Sequence, residues 1–174
     1  MTLSSPNIIL LPGLVPGNIT PFLSLLKSLK VPPVVIIVTE SSCVDNLKNL
    51  TGLPNVYIHA LAEPHELADQ QNVACDIRLY QWYKFNFALK ILQRLESQYS
   101  FVANRIFKLR FDYLYSNPSS LVSELIDNSP IVDDILFCES DRIFFGSRLT
   151  LFSLRHFLDV AVTLFLNKID YFYP

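Results

Sequence analysis

Glycine is scarce in this chain: four residues in 174, at positions 13, 17, 52 and 146. Gly13 and Gly17 stand four apart in LPGLVPGN with no GxGxxG and no Walker lysine, which excludes the glycine-rich dinucleotide turn and the P-loop phosphate cradle. The three cysteines, Cys43, Cys75 and Cys138, are odd in number and lack CxxC spacing. That excludes a disulfide framework and a zinc knuckle and points to a reducing compartment. Charge is also thin, at 17% of residues with a net charge of -2, so no basic excess speaks for nucleic acid. No apolar run is free of charge over membrane length. LTLFSLRHFLDVAVTLFL carries Arg155, His156 and Asp159 and reads as a packed helix. The start, MTLSSPNIILLPG, has no basic n-region and is broken by Pro12 and Gly13, which argues against a signal peptide and makes the acceptor-like triplets at Asn18 and Asn49 chance matches.

What the chain does have is apolar material, 51% of its residues, enough for one core within a single domain over residues 1–174. NIILL and VVIIV are short continuous apolar runs, the pattern of strands buried on both faces of a parallel sheet. Between them Thr20 is placed to cap a helix with Pro21 at its first position and Phe22, Leu25, Leu26 and Leu29 on one stripe. SSCVDNLKNLTG predicts a shorter helix ended by Gly52, NVYIH a third strand, and ALAEPHELADQQNVACD a long polar loop. From Tyr80, helical spacing of Trp82, Phe85, Ala88, Leu89, Leu92 and Leu95 defines the most secure helix. RIFKLRFDYLY then predicts a strand, SNPSSLVSELID a helix capped by Asn117, IVDDILFC and DRIFFG two strands, and a last helix starts near Ser147. The sum is an α/β fold, a mostly parallel sheet flanked by helices.

Familiar catalytic motifs fail on chemistry. HELAD lacks the second histidine of a zinc protease, Ser147 lacks a GxSxG elbow, and His59, His65 and His156 share no spacing. What stands out is the alternation of Lys108, Arg110 and Asp112 in an apolar strand. Period two puts all three on one face with Ile106, and Phe107, Leu109 and Phe111 on the other. A cation beside a carboxylate at the carboxyl end of a strand suits a diphosphate and a divalent metal; it equally suits a self-contained ion pair.

The run QWYKFNFALKILQRLESQYSFVANRIFKLRFDYLYSNPSSL, followed by DRIFFGSR, resembles bacterial sugar transferases of polysaccharide and lipopolysaccharide synthesis, including the WavE-like group. The resemblance spans Gln81 to about Leu158 and implies a GT-A/Rossmann-like sheet and a nucleotide-diphospho-sugar donor. It also implies a glycan or lipid-linked acceptor, and leaves room for Mn or Mg. By the same resemblance Asp112 and Asp141 are the catalytic acids and Asp112 the metal ligand. Lys108, Arg110, Gln81, Lys84 and Gly13 bind the donor. It implies a hexosyltransferase in the bacterial cytoplasm; a peripheral place at the inner membrane face and a homo-oligomer stay open. Two departures stand beside it: no arginine follows Gly13, and relatives continue beyond FLNKIDYFYP. A non-catalytic module that binds a sugar nucleotide or a partner is therefore the alternative.

Overall fold

The run at Asn7–Pro12 is strand β1, and Ile8, Ile9, Leu10 and Leu11 are all fully buried in it. A strand apolar on both faces needs cover on both sides, and the next elements supply it. This is a computed structural model that describes residues 5–63, 77–130, 132, 135–140, 142–155 and 160, with backbone alone for 77–79. Helix α1 (Thr20–Ser28) buries Phe22 and Leu25 and returns the chain to β2 (Val34–Glu40), parallel to β1. A 3-10 run over Ser41–Leu50 and a turn with Gly52 at φ +86° lead to β3 (Val56–Leu61), parallel to β2. Helix α2 (Ile77–Tyr99) then delivers β4 (Arg105–Leu109) to the other side of β1, again parallel. Helices α3 (Phe111–Ser116) and α4 (Ser119–Asn128) follow, then β5 (Phe137–Glu139), β6 (Ile143–Ser147) and α5 (Arg148–Ser153).

The sheet runs β3-β2-β1-β4-β6-β5, and only β6 runs against its neighbours. Alternate residues of each strand feed two cores. Ile9, Leu11, Phe107 and Leu109 pack with Phe22 and Leu25 of α1 and Val122 and Ile126 of α4. Ile8, Leu10, Ile36 and Ile106 pack with Phe85, Leu89 and Leu92 of α2. The fold is thus mixed α/β, a mostly parallel sheet with helices on both faces, as the apolar runs indicate. Behind α2, the buried Glu96 accepts two hydrogen bonds from Arg148, at 2.7 and 2.8 Å, and one from the Ala103 amide at 2.9 Å. That ties α2 to α5 and to the entrance of β4. No helix among the described residues is long and apolar enough to cross a membrane.

Three local expectations are corrected. Thr20 lies inside α1, and it is Asn18 whose side-chain oxygen accepts the Thr20 amide at 3.0 Å. Asn117 does not open α4; its side-chain Nδ2 donates to the Tyr113 carbonyl at 2.9 Å and closes α3, while Pro118 takes the position before α4. Most consequentially, RIFKLRFDYLY is not one strand. It ends at Leu109, because Phe111 and Leu114, three apart, bury together on one turn of helix, which a continuing strand would not allow.

Candidate functional site

The chain leaves β1 toward β2, and later places β4 on the opposite side of β1. Such a reversal opens a crevice at the carboxyl ends of the two strands, where open α/β sheets receive ligands. Leu10 of β1 pairs with Lys108 of β4, so Gly13 and Arg110, just beyond the strand ends, flank the same gap. A cavity of about 480 Å³ lies there, lined among others by Gly13, Cys43, Gln81, Arg110, Asp112 and Tyr115.

Each wall has a local cause. Gly13 sits at φ +149°, a conformation that favours glycine, and its amide donates to the Val38 carbonyl at 3.0 Å. A Cβ at this position would stand 3.4 Å from the Gln81 side-chain oxygen, so α2 approaches the β1 turn closely. Arg110 remains extended, at φ -106° and ψ 149°, and its amide donates to the Arg142 carbonyl at 3.0 Å. The helical turn that starts at Phe111 brings Asp112 back toward it. The guanidinium then donates through Nε to Oδ1 at 2.9 Å and through Nη2 to Oδ2 at 3.0 Å. This two-pronged pair is open to solvent, with side chains 32% and 49% exposed. Tyr115 stands at the rim, where desolvation raises its phenol above its ordinary value.

The two lysines stand apart from the crevice lining. Lys108 is buried, on the α2 face of β4, with its ammonium 4.8 Å from the centroid of the Phe144 ring, which itself stacks on Trp82 at 5.7 Å. Lys84 has no exposed surface; it is ion-paired with the buried Glu40 at the end of β2 and lies 4.6 Å from the Tyr80 ring centroid. Burial lowers its pKa, and the attraction of Glu40 opposes that shift. Lys108, Arg110 and Asp112 therefore do not form one charged strand face. The structure brings together Gly13, Gln81, Arg110 and Asp112, and it places Lys84 and Lys108 in the packing behind them. Asp141 lies outside the described residues, next to the segment whose Arg142 carbonyl holds Arg110.

Asp112 is the sole carboxylate among the described residues that line the crevice, and both its oxygens accept from Arg110. No cluster of three or more His, Cys, Asp or Glu side chains forms among the described residues. Divalent cations gather several oxygen ligands, so these side chains do not fit a metal held by the protein itself. Sequence reasoning missed Glu40, Cys43 and Tyr115. For Glu40 a signal existed: an acid directly ends a wholly buried strand, and Lys84 shares the helix face of Tyr80 and Ala88. Cys43 and Tyr115 reach the crevice only through the fold.

No family model and no curated protein matches the sequence. Among solved structures, the chain is similar to a cytidylyltransferase from Leptospira borgpetersenii serovar Hardjo-bovis, at 13% identity and a TM-score of 0.46. The match covers 87% of this chain and 64% of that one, so the chain spans less than two thirds of that protein. Likeness at this level transfers neither substrate nor site residue. The resemblance to sugar transferases rests on its quoted motifs.

Proposed function

We propose that the crevice binds a nucleotide-diphospho-sugar and that the protein, as one domain, transfers the sugar to a glycan or lipid-linked saccharide. The observation that carries this reading is the meeting of Gly13, Gln81, Arg110 and Asp112 at the carboxyl ends of β1 and β4. In it, Arg110 presents its fork to the diphosphate, the pairing for which guanidinium geometry is suited. Gln81 holds the donor against the Gly13 turn. As the bond between the anomeric carbon and the diphosphate oxygen breaks, Arg110 stabilises the departing charge. The acceptor hydroxyl oxygen bonds to that carbon, and its proton passes to a carboxylate, Asp112 or Asp141. Lys84 and Lys108 support the site from behind, Lys84 by holding α2 against the end of β2.

Thermal unfolding with UDP, CDP, GDP, ADP and their sugar adducts, with and without manganese, tests this reading. One nucleotide series should stabilise the wild type and lose that effect in Arg110→Gln; ligand at a hundred times its Kd stabilises by about 2.7 kcal/mol. Asp112→Asn should still bind and should fail to turn over. The manganese arm asks whether the diphosphate brings a cation with it. The second reading, a non-catalytic module, is favoured by Leu14, which stands where members of the resembled sugar-transferase group often carry an arginine; nucleotide binding without transfer to any acceptor would select it.

A further inference from the structure

The amino ends of the same strands hold a second cavity, of about 600 Å³, bounded among others by Asn7, Asn55, Tyr57, Tyr99, Asn104 and Arg105. Asn7 opens β1 and Arg105 opens β4, whereas the crevice lies past their other ends. At about 3.3 Å per residue the two cavities are roughly 20 Å apart. They are separate places on the molecule.

Apart from Arg105, the described residues that line the second cavity are uncharged. Arg105 is the one cation among the described residues that line it, and three of its nitrogens donate within the protein: Nε to Asn7 Oδ1 at 3.2 Å, Nη1 to the Ser129 carbonyl and Nη2 to the Asp127 carbonyl at 3.4 Å. These bonds make the Arg105 guanidinium part of the cavity wall. The other polar side chains among the described lining residues are Ser5, the amides of Asn7, Asn55 and Asn104 and the phenols of Tyr57 and Tyr99. Amides and phenols each offer donor and acceptor together, as a sugar hydroxyl does. Tyrosine rings add flat apolar faces, the complement of the C–H face of a pyranose. The cavity volume falls within the usual range for small-ligand sites.

We propose that this amino-end cavity binds a neutral saccharide through Asn7, Asn55, Asn104, Tyr57 and Tyr99. The proposal rests on these side chains and is independent of the donor reading of the crevice. It is tested by saturation-transfer NMR on the full chain with maltose, cellobiose and N,N′-diacetylchitobiose at millimolar concentration. At least one of the three should show transfer to its ring protons, and Tyr99→Ala and Asn104→Ala should each weaken its binding roughly fivefold. Tyr99 is 46% exposed at the end of α2, so its truncation leaves the fold intact, which the amide NMR spectrum checks. No transfer from any of the three sugars overturns the proposal. So does an affinity, from the concentration dependence of the transfer, that neither substitution weakens, or displacement of the sugar by inorganic phosphate.

Discussion

Arg110 and Asp112 carry the proposed chemistry, and their exposure separates function from stability. A surface ion pair contributes about 0–1 kcal/mol, so Asp112→Asn is expected to shift unfolding free energy by less than about 1 kcal/mol in a urea titration. Loss of turnover in that variant then reports on the site. Lys84 and Glu40 behave in the opposite way. Lys84→Met leaves a buried, uncompensated carboxylate and is expected to destabilise by about 3–5 kcal/mol, with much of the loss recovered in Lys84→Met/Glu40→Leu. The pair also has a pH signature. The pKa of Lys84 is lowered from 10.5, so between its folded value and 10.5 the unfolded chain binds the extra proton, and the contribution to stability rises with pH across that window. Tyr57, Tyr113 and Tyr115, raised from 10.0, act with opposite sign: their stability is present below 10.0 and is lost as pH rises through the folded values. Subtracting the Lys84→Met stability from that of the wild type removes the tyrosines, and the difference should grow as pH approaches 10.5. Arg110 and Asp112 were legible as a pair because charge is rare in so apolar a stretch. Their ion pair was one of the readings the spacing allowed, but the helical turn that forms it was hidden by period two.

At the level of elements, apolar runs were the readable part, whereas the cap expected at Thr20 and the one expected at Asn117 were both displaced. β1, β2, α1 and α2 follow from continuous or three-four spaced hydrophobic residues, and burial confirms the assignment of Phe22, Leu25, Leu89 and Leu92. α3 was misread as strand because its aromatic residues favour strands and its six residues are too few to establish a helical period. The join between β6 and α5 depends on Gly146. A Cβ there would come within 3.0 Å of the Ile135 carbonyl and of Leu151 Cδ2, so one of the two neighbours has to move. Gly146→Ala is expected to destabilise by about 1–3 kcal/mol, as overpacking does. The same thermal melt on Arg148→Ala, which strips Glu96 of two charge-assisted bonds, should show a comparable loss of about 1.5–3 kcal/mol.

For the molecule as a whole, the sheet type could be read from β1 and β2, whose residues are apolar without alternation. The strand order could not, because nothing in the residues of β4 says which side of β1 it joins. The core fixes a gradient of stability. Amides in β1, β2 and β4, central in the sheet, should exchange with deuterium most slowly, and those of the edge strands β3 and β5 fastest, in a native-state hydrogen-exchange measurement. Charge at this scale bears on how the crevice meets an anion. With a net charge of -2 the molecule exerts no long-range pull on a diphosphate, and Arg110 already has a resident counter-ion in Asp112. Entry of a phosphate is then an exchange of partners at one guanidinium, and it favours ligands with at least two negative charges over chloride or a carboxylate. Raising salt from about 50 to about 300 mM should accordingly change pyrophosphate affinity less than about threefold, since screening has little field to remove.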